Sequence, residues 1–324
     1  MMLKSEPFLY KFSSSLKLMS LIVIIIICLF LFNVIGIAIA FPIWGSNVMT
    51  ELPLNFQKYL QIINEIGMFI VPVLIFSYFV NHDIKRYLKL GHKPRMFSLF
   101  TAVLLMFVSI PLIGWLSTIN QAMHLPTWMA GVEKWMRDLQ TANDTLSDTF
   151  LKDGTKKGLL INMIMIAILP AIGEELLFRG ALIKIFKHWF NNVHVAVVVS
   201  SILFSAFHFQ FFGFFPRLVL GVILGYLFVY SRNLWVPIVA HFINNAFAVI
   251  LIFLNTKKII NIDPDNLGNT NNDVVAIIGS IVFVCLLMFA LYKSRRKIKP
   301  YHSSRTFTEK GIEEIEPEET TSQE

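Results

Sequence analysis

Residues Leu18–Phe41 read LMSLIVIIIICLFLFNVIGIAIAF, 24 consecutive positions without a charged side chain. A helix needs about 20 apolar residues to cross a hydrocarbon core, so this stretch predicts a membrane span. Lys4, Lys11 and Lys17 precede it, and Ala38-Ile39-Ala40 resembles a cleavage site. The apolar core of a secretory signal runs only about 7–15 residues, however, so the helix is read as retained. The rest of the chain repeats its character. Its 324 residues are 55% hydrophobic and 15% charged, with 30 Phe and a mean hydropathy of +0.63. An ordinary soluble domain is nearer a quarter charged, and a disordered chain lacks large apolar side chains. A soluble enzyme, a nucleic-acid binder and a disordered chain are all poor fits, whatever the pI of 9.3 suggests.

Outward from that first helix, hydropathy predicts an all-α, polytopic bundle of about eight spans. They are Leu18–Phe41, Ile62–Val80, Phe97–Ser117, Gly158–Phe178, Val193–Phe209, Phe215–Tyr230, Leu234–Leu254 and Asp273–Tyr292. The fifth and sixth are short and border the polar stretch His208–Gln210. An even count puts both termini on one side, and the positive-inside rule says which. The N-terminal tail, the His82–Arg95 loop, the end of span four to Lys187, Arg232 and the C-terminal tail hold nineteen of the 28 Lys/Arg. Five of the other nine lie in the long Thr118–Lys157 loop, interspersed with acids. Both termini are therefore expected in the cytoplasm.

In that loop Val132, Trp135, Met136 and Leu139 recur at i, i+3, i+4, i+7 between charged residues, the pattern of an amphipathic surface helix. Lys293, Arg295, Arg296, Lys297 and Lys299 follow the last span and suit anionic headgroups. Tyr301–Glu324, with seven Glu and few apolar residues, is expected to be a disordered tail. Cys28 and Cys285 fall in apolar spans and are read as buried, inert thiols, without a disulfide or thiolate metal site. Gly221 and Gly225 form a G-x-x-x-G step, read as a packing face.

Charges within spans are costly and mark function or a buried pair. Spans one to three hold almost none, with Asn64 and Glu65 placed near an end. The exceptions cluster between positions 174 and 245. Glu174-Glu175-Leu176-Leu177-Phe178-Arg179 sets Glu175 and Arg179 at i, i+4, where they can pair, and turns Glu174 about 100° away. An ion pair at a helix end explains that motif alone. Pro170, one turn earlier, suggests a locally irregular helix. Phe204 and His208 share a second helix face. On a third helix His241 and Asn245 point the same way with Asn244 close by, and interhelical hydrogen bonds would satisfy them without chemistry. Together, a Glu, two His and an Asn on three helices supply an acid/base set and hydrogen-bond donors, the parts that amide hydrolysis needs. No Gly-x-Ser-x-Gly, nearby Cys or His-Glu-x-x-His motif is present. A zinc site from Glu174, His208 and His241 stays chemically open.

The three motifs in this order resemble the CAAX-protease and bacteriocin-processing (CPBP, "Abi") family of intramembrane endopeptidases, in its bacterial branch. The family pattern is E-E-x-x-x-R, F-x-x-x-H and H-x-x-x-N, which here is Glu174/Glu175/Arg179, Phe204/His208 and His241/Asn245. Asn233-Leu234-Trp235-Val236-Pro237 is similar to the family's approach to the third motif. The resemblance covers about Gly158–Leu254.

It implies a glutamate-dependent hydrolase with a catalytic core formed by spans four to seven. Residues 158–254 would be the protease core, 1–157 an N-terminal transmembrane region with its amphipathic helix, 255–300 the last helix with a basic anchor, and 301–324 the acidic tail. Glu174 would be the general base, activating water with His208. His241 and Asn245 would stabilise the oxyanion, while Glu175, Arg179 and Phe204 would support the site and position substrate. The resemblance favours a metal-free mechanism over zinc and expects no cofactor. The implied partners are a membrane-associated protein or peptide substrate and the lipid bilayer, in a bacterial cytoplasmic membrane. A non-proteolytic immunity or scaffold protein of the same family is the alternative.

Overall fold

The structure is a computed structural model, which describes residues 6–45, 52–261 and 274–295. These are helical throughout, apart from turns and loops. Helix α1 (Ser14–Trp44) starts where Ser13 Oγ accepts from the amide of Leu16. Helix α2 (Leu54–Val80) follows Pro53. Helices α3 (Met96–Val108) and α4 (Ile110–Gln121) form one apolar pair bent by 43° at Ser109, just before Pro111. Then come the amphipathic α5 (Ala130–Leu151) and the 35-residue α6 (Lys156–Phe190). Helices α7 (Val193–Ala206), α8 (Phe211–Ser231), α9 (Trp235–Thr256) and α10 (Val274–Arg295) complete the bundle. Six helices are long and apolar enough to cross a membrane, seven if the bent pair counts as one. The chain is an integral membrane protein. Each of the eight predicted spans falls on one of these elements, although α7 has only 14 residues.

Three expectations are corrected. Span four does not end near Phe178. Its helix continues to Phe190, where Asn191 adopts a left-handed φ of 47° and Asn192 caps α7 by accepting from the amides of His194 and Val195. Glu174, Glu175 and Arg179 therefore lie in the body of a helix, not at its end. Likewise Glu65 and Asn64 are not near a helix end, because α2 begins at Leu54 and places them mid-helix. Finally, Cys285 is exposed on α10, whereas Cys28 is buried. The expectations for residues 296–324, comprising part of the basic anchor and the acidic tail, lie outside the described residues.

The packing of α6 and α7 sets the level of the site. Ser200 Oγ donates to the Phe178 carbonyl at 2.8 Å, so the two helices run antiparallel with Phe204 opposite Glu174. The Asn191–Asn192 turn lies about 24 Å beyond Glu174 along α6, while Trp235 lies only about 9 Å before His241 along α9. The α6–α7 hairpin thus projects past the start of α9. That projection explains how His208, some 22 Å along α7, comes level with the site.

Helix α8 approaches α7 through small residues. A methyl on Gly225 would stand 2.8 Å from Val197 Cγ1, and one on Gly221 would stand 3.1 Å from Ser201 Cβ. The G-x-x-x-G step is therefore a packing face. The loop preceding α3 is tied to the same end of the bundle: Asn233 Nδ2 donates to the His92 carbonyl at 2.7 Å, and the Leu234 amide donates to the Lys89 carbonyl at 3.2 Å.

Candidate active site

Helix α6 is irregular where the first motif sits. π-Helical turns at Met163–Ile168 and Leu176–Leu182 flank the segment Leu169–Glu175. Pro170 has no N–H to return to the carbonyl four residues earlier, that of Ile166. Asn245 of α9 supplies a donor there, with Nδ2 3.1 Å from Ile166 O. The second donor-bearing amide, Asn244, gives Nδ2 to Asn245 Oδ1 at 3.1 Å.

Around this segment a buried ionic chain runs across three helices. Arg179 Nη1 donates to Glu175 Oε1 at 2.6 Å, and Arg179 Nη2 donates to the Gly221 carbonyl on α8 at 2.9 Å. The same Glu175 oxygen accepts from His241 Nδ1 on α9 at 3.0 Å. With Nδ1 so engaged, His241 turns Nε2 toward Glu174, 3.9 Å from Oε2. Glu174 is 7% exposed, Glu175 0%, Arg179 1% and His241 3%. Burial of this kind is tolerated only where each charge has a partner.

Phe204 forms the wall between the two histidines. Its ring centroid lies 5.2 Å from that of His208 and 5.9 Å from that of His241, and the Arg179 guanidinium stands 4.6 Å over its face. His208 is half-buried just past the end of α7. It donates Nδ1–H to the Phe204 carbonyl at 2.9 Å, which leaves Nε2 with its lone pair. The segment after His208 is clamped by α5. Gln210 Nε2 donates to Asp144 Oδ1 at 3.0 Å, the Phe212 amide donates to Gln140 Oε1 at 3.0 Å, and Arg137 lies 4.0 Å over the Phe212 ring. The amphipathic helix expected around Val132–Leu139 is thus a cap over this loop.

The structure brings Glu174, Glu175, Arg179, Phe204 and His241 into one contact network. His208 joins it through the Phe204 ring, and Asn245 through the backbone of α6. Among the described residues no group of three or more His, Cys, Asp or Glu side chains that could hold a metal ion is found. Two further charges act on Glu174 that the motifs do not contain, Glu65 of α2 as a like charge and Arg217 of α8 as an opposite one. Arg217 is itself bonded to Gln210. The sequence reading does not single out Arg217, which falls inside the span Phe215–Tyr230, and places Glu65 near a helix end. Its signal for Glu65, an acid in an apolar helix, is present but misplaced.

Part of the chain is similar to known proteins. Residues 156–247 match the family model described as "Type II CAAX prenyl endopeptidase Rce1-like". The chain is 32% identical over 108 residues to the "Membrane-embedded CAAX protease MroQ" of Staphylococcus aureus, covering 31% of this chain and 42% of that protein. It is 30% identical over 102 residues to the "Uncharacterized protein YpbD" of Bacillus subtilis, covering 30% of this chain and 49% of that one. The matched part thus spans about half the length of these curated relatives. No solved structure matches the chain.

Proposed function

We propose that the chain, through residues 156–247, belongs to the CPBP family of Rce1-like CAAX prenyl endopeptidases and is an intramembrane endopeptidase hydrolysing a membrane-associated protein or peptide. The observation that carries this reading is the approach of Glu174 Oε2 to His241 Nε2 at 3.9 Å, inside apolar helices and backed by the Glu175–Arg179 pair. A gap of that size between two polar atoms suits a water that bonds to both.

In the proposed reaction Glu174 takes a proton from that water as its oxygen bonds to the substrate carbonyl carbon. His208, with its Nε2 lone pair, holds the water from the far side of Phe204. The carbonyl oxygen becomes an oxyanion, stabilised by His241 Nε2–H and by Asn245 once it leaves the Ile166 carbonyl. Collapse of the tetrahedral intermediate breaks the C–N bond, and Glu174 returns its proton to the leaving amine. Glu175 keeps His241 oriented, while Arg179 balances Glu175. These roles are filled by side chains alone, without a metal or other cofactor. The concentration of Lys/Arg on one side of the spans supports a location in the cytoplasmic membrane with both termini in the cytoplasm.

Quantitative peptide-terminus profiling tests the proposal in membranes from cells carrying wild type or Glu174→Gln at matched abundance. New protein termini that require Glu174 are expected, and they would identify the substrate. Identical termini in both, with a cellular phenotype retained by Glu174→Gln, would reject proteolysis in favour of an immunity or scaffold role.

A further inference from the structure

His208 stands two residues past the end of α7, where the helix holds the chain weakly. Its amide donates to the Ser205 carbonyl at 3.4 Å, a long bond, and the Phe209 amide donates to the Ala206 carbonyl at 3.1 Å. At Phe209 the backbone enters the left-handed region, with φ 51°. That conformation is costly for a residue with a side chain, and a bulky one there is an outlier. The Phe209 ring is 55% exposed, so its own packing does not offset the cost. Strained turns of this kind persist only where the surroundings over-determine them. The bond from His208 Nδ1 to the Phe204 carbonyl sets the rotation of the ring, but where the ring stands depends on this turn.

The residue that follows supplies the restraint. The Gln210 carbonyl accepts from Arg217 Nη1 at 3.3 Å, its Oε1 accepts from Arg217 Nη2, and its Nε2 donates to Asp144 Oδ1 at 3.0 Å. One amide side chain thus bridges α8 and α5. The helix register puts Arg217 in place for this. Gly225 of α8 packs against Val197 and Gly221 against Ser201, so each turn back along α8 meets the next turn of α7. Arg217, one turn before Gly221, comes level with Ser205 and the residues after it. Other bonds close the base of the loop: Ser205 Oγ donates to the Phe214 carbonyl at 2.6 Å, and Asn120 of α4 bonds the Phe211 carbonyl and the Phe215 amide. Gln210 bears on its tip, beside Phe209.

We propose that Gln210 is a positioning residue of the active site, which by bridging Asp144 of α5 and Arg217 of α8 braces the left-handed turn at Phe209 and so keeps the His208 imidazole in place against Phe204. This rests on the endopeptidase reading above, in which His208 Nε2 holds the hydrolytic water. In this role Gln210 exchanges no proton and acts only through the place of His208. The brace also ties α5, which lies outside the family-matched residues 156–247, to the geometry of the reaction.

The test uses the full-length protein in detergent and a quenched fluorescent peptide carrying the cleaved sequence found by terminus profiling. Gln210→Ala is expected to lower kcat about ten- to hundredfold with KM little changed, the scale of a misplaced reactant. Gln210→Glu sets a second carboxylate against Asp144 and should be slow as well. Adding Asp144→Asn returns an N–H donor across the same gap and should recover most of that loss. Gln210→Ala at wild-type kcat, or a double variant no faster than Gln210→Glu, would overturn the inference. Hydrogen exchange provides a readout that needs no substrate. In Gln210→Ala the amides of residues 207–213 should exchange at least about tenfold faster, while those of α6 and α9 keep the wild-type rate. Unchanged exchange in the loop, or faster exchange throughout α6 and α9, would overturn the placement of Gln210 whatever the activity. A wild type without Glu174-dependent cleavage would instead refute the endopeptidase reading itself.

Discussion

Glu175 Oε1 accepts from His241 Nδ1 at 3.0 Å, and that bond fixes which face of the imidazole meets Glu174. A carboxylate behind a histidine holds the orientation of its ring. Glu175→Gln should lower turnover about ten- to hundredfold, because a neutral acceptor holds the ring less firmly, and it should also lower the melting temperature, because Arg179 stays buried without its counter-charge. A variant that hydrolyses peptide at the wild-type rate would show that His241 is held by other contacts.

Arg179 neutralises Glu175 from within the core, so removing it leaves a carboxylate without its cation. Arg179→Ala is expected to cost about 3–5 kcal/mol of stability. Thermal melting in detergent and abundance in the membrane both report this. Arg179→Ala together with Glu175→Gln should be less damaging than Arg179→Ala alone, and a double variant as unstable as the single one would contradict the pairing.

The bond from Asn245 to the Ile166 carbonyl serves the backbone beside Pro170. Pro170→Ala provides an N–H that competes for the same oxygen. Asn245→Ala should then cost less in the Pro170→Ala background than in the wild type, by about 0.5–3 kcal/mol. Equal costs in the two backgrounds would mean that the proline and the amide are unrelated.

Gly225 lets α8 approach α7. Its replacement by Ala would press a methyl against Val197 Cγ1 at 2.8 Å. Overpacking of this kind typically costs about 1–3 kcal/mol. Val197→Ala should restore most of the loss in melting temperature, since it removes the opposing methyls.

Outside the spans, Glu133 of α5 anchors the cap to the turn before it. It accepts from Arg137 Nη2 at 2.7 Å, from the Leu125 amide at 2.9 Å and from His124 Nδ1 at 2.9 Å. These bonds, led by the one from Arg137, lower its pKa from 4.5 to about 2. A depressed carboxylate contributes stability that is fully present above its unfolded value and is lost as pH falls through the folded one. Attachment of α5 should therefore weaken between about pH 4.5 and 2, measured as protease access to the loop. Glu133→Gln should already be weakened at pH 7 and show less change over that window.

The polar motifs are legible in the sequence because each interrupts an otherwise apolar helix, and Glu175–Arg179 is a local i, i+4 pair. The start of α2 is not legible in that way. Gln57, Lys58 and Gln61 depress its hydropathy, although Lys58 is only 3% exposed and pairs with Asp153 Oδ2 at 3.4 Å. That hidden neutralisation makes the helix seem to begin near Ile62 and moves Glu65 to an apparent end. The same effect shortens α6, where Lys184 lies 4.2 Å over the Tyr87 ring. The contacts of Glu174 with His241 and of Asn245 with Ile166 are tertiary, and spacing along one chain cannot supply them.

The π-helical turn at Leu176–Leu182 has a consequence for comparing relatives position by position. A π turn holds one residue more than an α turn. Loss of one residue after Arg179 could therefore be absorbed without a loop, by tightening that turn to α geometry. Glu174, Glu175 and Arg179 would keep their facing, and so would Ile183–Phe190 beyond the tightened turn. A one-residue gap between related chains at this place is thus a change of winding in an unbroken helix. Placing the gap in the Asn191–Asn192 turn instead would pair every residue of Ile183–Phe190 with the wrong counterpart.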